Sequence, residues 1–143
     1  MLTSEADYAA AGAEIYRHVR AGEKTIVIVS ALKGETDTLL AQADANGGDA
    51  FPHITARLAR LGEFRSAALM GLALSRLGLR AKVLDPHEIG LMAEGDPMDS
   101  NLSELDKDAM AAALEEADAV VLPVSPPVMQ TMAPPRWAGA ARI

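Results

Sequence analysis

A chain of 143 residues, half of them hydrophobic but only five aromatic, is long enough to bury one aliphatic helix-on-sheet core and too short for more than one domain. Thirteen basic against 20 acidic residues give a net charge of −7, which argues against nonspecific binding to nucleic acid or an anionic membrane. Without cysteine there are no disulfides, thiolate zinc sites or cysteine nucleophiles; without a basic-then-apolar start or a long apolar run, a soluble cytoplasmic protein is expected.

In chain order, Ser4-Glu-Ala-Asp7 has the form of a capping box, and Tyr8, Ala11, Ile15 and Val19 then recur at helical spacing until Gly22. Thr25 to Val29 is an unbroken β-branched run, which predicts a strand covered on both faces, as in a parallel sheet. The polar loop Ser30–Asp37 follows, then a short helix through Leu39 and Leu40, and a turn at Asn46-Gly-Gly-Asp49. Phe51 to Leu61 reads as a short helical excursion. Gly62 to Leu77 reads as a helix apolar nearly all round, hence buried. Leu79–Leu84 is the second strand, Glu88 to Leu102 is irregular, and Asp106–Ala117 is an amphipathic helix with Met110, Ala113, Leu114 and Ala117 inward. Asp118–Leu122 is the third strand. The βαβ rhythm predicts a parallel sheet flanked by helices.

Ligands in such folds sit at the carboxyl ends of the strands, where Ser30, Lys33, Gly34, Thr36 and Asp37 fall. Three segments stand out: Ser-Ala-x-x-Gly-x-Thr-Asp from Ser30, Gly-Glu-x-x-Ser-Ala-Ala-Leu from Gly62, and Leu84-Asp85 followed by Ile89-Gly-Leu91. Together, and in this order, they resemble the amino-terminal lobe of aspartate kinase, in the amino-acid kinase family. The resemblance runs from about Ser4 to Pro123 and is closest to the kinase-like portion that some bacterial chains fuse to homoserine dehydrogenase. It implies a partial α/β lobe, a three-layer α/β/α arrangement with a mainly parallel sheet, over residues 1–123.

Residues 124–143 break the pattern, with four prolines, two methionines and Trp137 and no helical or strand period. Aspartate kinases continue with Pro-Gly-Phe and later Leu-Gly-Arg-Gly-Gly-Ser-Asp, and neither occurs here. Starting each codon at the third base of the present one lets Pro123-Val-Ser read Pro-Gly-Phe. The same shift lets Arg136 to Ile143 read Leu-Gly-Arg-Gly-Gly-Ser-Asp. We read the tail as an out-of-frame extension after one lost base near Pro123, which the DNA around that codon decides. The family also places a Lys-Phe-Gly-Gly strand before the first helix, so the amino end reads as cut too.

The resemblance assigns three substrate-binding residues. Thr36, in the Gly-x-Thr-Asp turn, helps hold the amino-acid substrate, as a hydroxyl beside exposed N–H groups suits a carboxylate; its bland alternative is a helix cap. Glu63 pairs with the substrate ammonium; its alternative is a dipole-compensating acid in a helix's first turn. Ser30 lines the site, or merely closes a turn. Arg65 reads as a solvated charge facing elsewhere. Asp85-Pro-His-Glu88 is read as a turn with a cap, since one histidine with nearby acids lacks the spacing of a two-histidine metal site. The aspartates from Asp96 to Asp108 lack the glycine of a calcium loop. No catalytic or metal-binding residue is assigned.

An intact aspartate kinase transfers the γ-phosphoryl group of ATP, with Mg²⁺, to the β-carboxylate of aspartate. The expectation is therefore a truncated, inactive aspartate-kinase-like protein with no cofactor of its own, aspartate or a related amino acid as ligand, and a tendency to self-associate or pair with a protein through exposed sheet edges. The alternatives are a non-catalytic regulatory or interaction module and a fragment of a homoserine dehydrogenase fusion.

Overall fold

In the computed structural model, which describes residues 2–90, 92–96, 99–104, 106–123 and 139–142, strand β1 (Thr25–Val29) is buried at every position. It is flanked by helix α1 (Asp7–Arg20) before it and helix α2 (Glu35–Ala45) after it. Helix α3 (Pro52–Ala59) and helix α4 (Leu61–Arg76) lead to the short strand β2 (Ala81–Val83). A hairpin of β3 (Met92–Asp96) and β4 (Asp99–Glu104), helix α5 (Lys107–Glu116), strand β5 (Ala119–Pro123) and strand β6 (Gly139–Arg142) complete the order. The main sheet runs β2-β5-β1-β6 with every pairing parallel, and Val27 stands opposite both Val121 and Ala141.

The three expected layers follow from the pleat of β1. Ile26 and Ile28 point to one face, where they meet Val120, Leu122, Leu84, Ile89 and the Met110, Ala113 and Leu114 side of α5. Val27 and Val29 point to the other, against Tyr8 and Ile15 of α1 and Ala67, Met70 and Leu74 of α4. Each fully buried aliphatic side chain of this kind contributes about 1.5–3 kcal/mol of apolar burial. The inward faces expected of α1 and α5 are those observed. Helix α1 ends as expected at Gly22, whose φ of 91° lets its N–H and that of Glu23 reach back to Val19 and His18.

The lower end of the sheet is pinned by one carboxylate. Asp118 Oδ2 accepts from the Arg80 backbone N–H at 2.9 Å and Oδ1 from its guanidinium at 2.8 Å, while the Lys24 ammonium stands 3.9 Å away. Lys24 and Arg80, which precede β1 and β2, thus converge on Asp118, which precedes β5, and the hydrogen bonds from Arg80 hold its carboxyl below the usual aspartate range.

Four sequence expectations are corrected. The stretch read as irregular contains the antiparallel β3–β4 hairpin, a separate two-stranded sheet whose polar residues (Glu94, Asp96, Ser100, Asn101) offer no apolar alternation to detect. In the tail, Gly139–Arg142 pairs parallel to β1, taking up the second edge of that strand through backbone hydrogen bonds that need no strand period; residues 124–138 lie outside the described residues. At the amino end only the returning half of the capping box forms: Asp7 accepts from the N–H groups of Thr3 and Ser4 and from the Thr3 hydroxyl, and Ala6 is the N-cap. Helix α4 is not buried all round, since Leu72 is 63% exposed. Among the described residues no helix is long and apolar enough to cross a membrane.

Candidate functional site

Strand β1 delivers the chain into the loop at its carboxyl end. Ser30 is half-buried there, directly after Val29. The loop turns at Gly34, whose φ of 82° is a left-handed conformation that side chains resist. This glycine is the N-cap of α2, with no side-chain cap, so Thr36 is the second residue of the helix rather than its cap. The capping alternative for Thr36 is thereby removed. Its half-buried hydroxyl lies in the first turn of α2, where the backbone N–H groups lack helical partners.

Helix α4 starts against this loop because position 62 is glycine. A Cβ there would come within 2.8 Å of the Ala31 Cβ and 3.4 Å of the Glu35 Cγ. The close approach brings the next residue, Glu63, to the loop. Glu63 is only 6% exposed and its Oε2 has no hydrogen-bond partner among the described residues. Desolvation pushes its carboxyl above the usual glutamate range, Arg60 opposes that, and Glu35 adds to it. A buried carboxylate with a free oxygen is costly to keep unless a donor arrives. A ligand ammonium is the donor that suits it, and the first turn of α2 offers N–H groups for a ligand carboxylate.

One turn along α4, Ser66 is fully buried and hydrogen-bonds Tyr8 of α1 at 2.7 Å. Arg65 is an exposed charge, as expected, but not a free one: it pairs with Glu35 in the loop and Glu5 before α1. None of these three pairings was visible in the sequence, where the partners lie 58, 30 and 60 residues apart. The structure therefore brings the neighbourhoods of Ser30, Thr36 and Glu63 together, and it makes Asp85-Pro-His-Glu88 the capped turn that was expected. There the Glu88 carboxylate accepts from the Asp85 N–H at 2.7 Å. A cavity of about 390 Å³ between α2 and α3 is lined by Gln42, Asn46, Phe51, Ile54 and Leu58 and touches none of the three site residues.

A parallel sheet with a polar loop at a strand's carboxyl end and a buried acid in the first turn of the facing helix marks the candidate site in an α/β lobe. The sequence pattern of the amino acid kinase family matches residues 1–136, and the chain belongs to that family. That span reaches past Pro123 into the tail. Over 108 residues, 76% of this chain, it is 29% identical to the aspartokinases of two Helicobacter pylori strains, J99 and 26695. The chain spans 27% of the length of each. The crystal structure of aspartate kinase from Synechocystis superposes with a TM-score of 0.68 at 24% identity, covering 99% of this chain and 20% of that one, and it shows the shared fold.

Proposed function

We propose that this chain is the amino-acid-binding part of an aspartate-kinase-like protein, with Glu63 taking the ammonium of aspartate or a related amino acid and Thr36 and Ser30 its carboxylate end. The observation that carries the proposal is the buried Glu63 carboxylate, whose Oε2 has no partner among the described residues, directly after Gly62, which packs on Ala31 and Glu35 at the start of α2. The likeness to two aspartokinases supports aspartate or a related amino acid as the substrate class.

The reaction proposed for the lineage is ATP-dependent phosphorylation of the aspartate β-carboxylate, which depends on cations at the phosphates and an in-line carboxylate. The proposed site concerns the amino-acid acceptor, and we assign no magnesium-nucleotide contact among the described residues. Among them no three His, Asp or Glu side chains stand together as metal ligands, and Arg65 is engaged by two carboxylates. The sequence also holds neither Lys-Phe-Gly-Gly nor Leu-Gly-Arg-Gly-Gly-Ser-Asp. What these residues do is bind and orient the acceptor: Glu63 fixes its ammonium and leaves the side-chain carboxylate to face away from α4. The chain alone is therefore expected not to catalyse the transfer.

The test is to incubate the chain with ATP, Mg²⁺, aspartate and hydroxylamine, and to measure aspartate affinity by calorimetry alongside. No hydroxamate, with binding weakened by both Thr36→Ala and Glu63→Ala, supports the proposal. Hydroxamate formation contradicts inactivity, and affinity unchanged by both substitutions contradicts the site. A second reading, an interaction module, is favoured by one observation: β2 ends the described sheet and Val83 on it is 41% exposed.

A further inference from the structure

We infer that Arg65 is a positioning residue that staples the Gly34–Thr36 turn to the start of α4, and so fixes the turn relative to Glu63. The inference rests on the binding reading above for its consequence, though not for its geometry. Arg65 Nη1 lies 3.3 and 3.4 Å from the two carboxylate oxygens of Glu35, and its Nη2 hydrogen-bonds Glu5. One guanidinium thereby joins the segment before α1, the first residue of α2 and the second turn of α4. Arginine suits this because its planar fork presents donors in two directions at once. Glu35 is the residue next to Thr36, so the pair acts one residue from the proposed carboxylate contact.

The pairing also sorts the acids. Glu35 and Glu63 both approach the loop from facing elements, and Glu35 already disfavours charge on Glu63. With Glu35 held by Arg65, Glu63 keeps the oxygen that lacks a partner. Removing the guanidinium would leave Glu35 free to swing toward the same ammonium and would release the turn. The side chains of Arg65 and Glu35 are 45% and 22% exposed, so solvent screens the pair and its effect is modest.

Amide hydrogen exchange on the ligand-free chain tests the staple directly. The N–H of Glu35 bonds to Leu32 and that of Thr38 to Gly34, so both report on the turn. Arg65→Ala and Glu35→Gln should each speed exchange at these two amides by about threefold to fivefold. Arg65→Lys keeps the charge but not the two-directional fork and should restore only a minor part of the protection, and Met70 and Leu74 in the buried part of α4 should not change. Unchanged exchange at the turn, or an equal rise throughout α4, would overturn the inference. The same variants are then titrated with aspartate. Wild-type chain that fails to bind aspartate sinks the binding reading while exchange still judges the staple. Wild-type binding with full affinity in Arg65→Ala sinks the positioning role.

Discussion

The phenol of Tyr8 and the hydroxyl of Ser66 meet at 2.7 Å in the buried seam between α1 and α4, one helical turn beyond Glu63. Both residues are almost wholly removed from water, at 4% and 0% exposure, so each hydroxyl satisfies the other. Burial also pushes the phenol above the usual tyrosine range, which the Ser66 hydrogen bond opposes.

Tyr8→Phe keeps the ring and strands the Ser66 hydroxyl. Urea unfolding should show a loss of about 1–2 kcal/mol, while the double variant with Ser66→Ala should recover part of it. Additive losses would mean that the two hydroxyls are not coupled.

Glu63 and Asp118 should give opposite pH dependences. The folded state holds the Glu63 proton more tightly than the unfolded chain does. Its contribution to stability is therefore fully present below the ordinary glutamate value and is lost as pH rises through the raised folded value. Glu63→Gln should abolish that loss, stabilise the ligand-free chain near pH 7 by about 1 kcal/mol and remove aspartate binding. Urea midpoints at pH 4 and pH 7 check the sign; a less stable Glu63→Gln chain at pH 7 would contradict it.

Asp118 contributes in the other direction, because hydrogen bonds from Arg80 lower its folded value. Its stabilisation is present above the ordinary aspartate value and is lost as pH falls through the lowered one. Asp118→Asn should cost about 1 kcal/mol near neutral pH, after allowing for solvent screening, and should flatten the acid limb of the stability curve.

Gly62→Ala would ordinarily favour a helix by up to about 1 kcal/mol. Here the added methyl meets the Ala31 Cβ at 2.8 Å, so the loop must move away from α4. Aspartate affinity should fall several-fold with helix content unchanged by circular dichroism; full affinity would show that the gap is wider than the structure has it.

Among the described residues β2 ends the sheet, and that edge predicts association. Sedimentation velocity should show concentration-dependent self-association, reduced by Val83→Lys, because a charge on an edge strand disfavours further pairing. A monomer at all concentrations would rule out that edge as a docking surface.

What could be read from the sequence was whatever had a period or a local chemistry. The β-branched run Thr25–Val29, the inward faces of α1 and α5 and the Asp85–Glu88 cap each announce themselves within a few residues. The β3–β4 hairpin and the Gly139–Arg142 strand do not, because backbone pairing leaves no period in their residues. At the site, Glu63 and Thr36 stood out through the segments around them. Glu35 and Arg65 did not: a charge that closes a contact 30 residues away looks, in one dimension, like any solvated charge.

The most direct measurement is a backbone NMR titration of the chain with L-aspartate and, in parallel, with succinate, which lacks only the ammonium group. Aspartate should shift the amides of Ser30, Thr36 and Glu63 while succinate leaves Glu63 unmoved, and Glu63→Gln should erase the difference between the two. Equal shifts from both ligands, or none from aspartate, would contradict the proposed site.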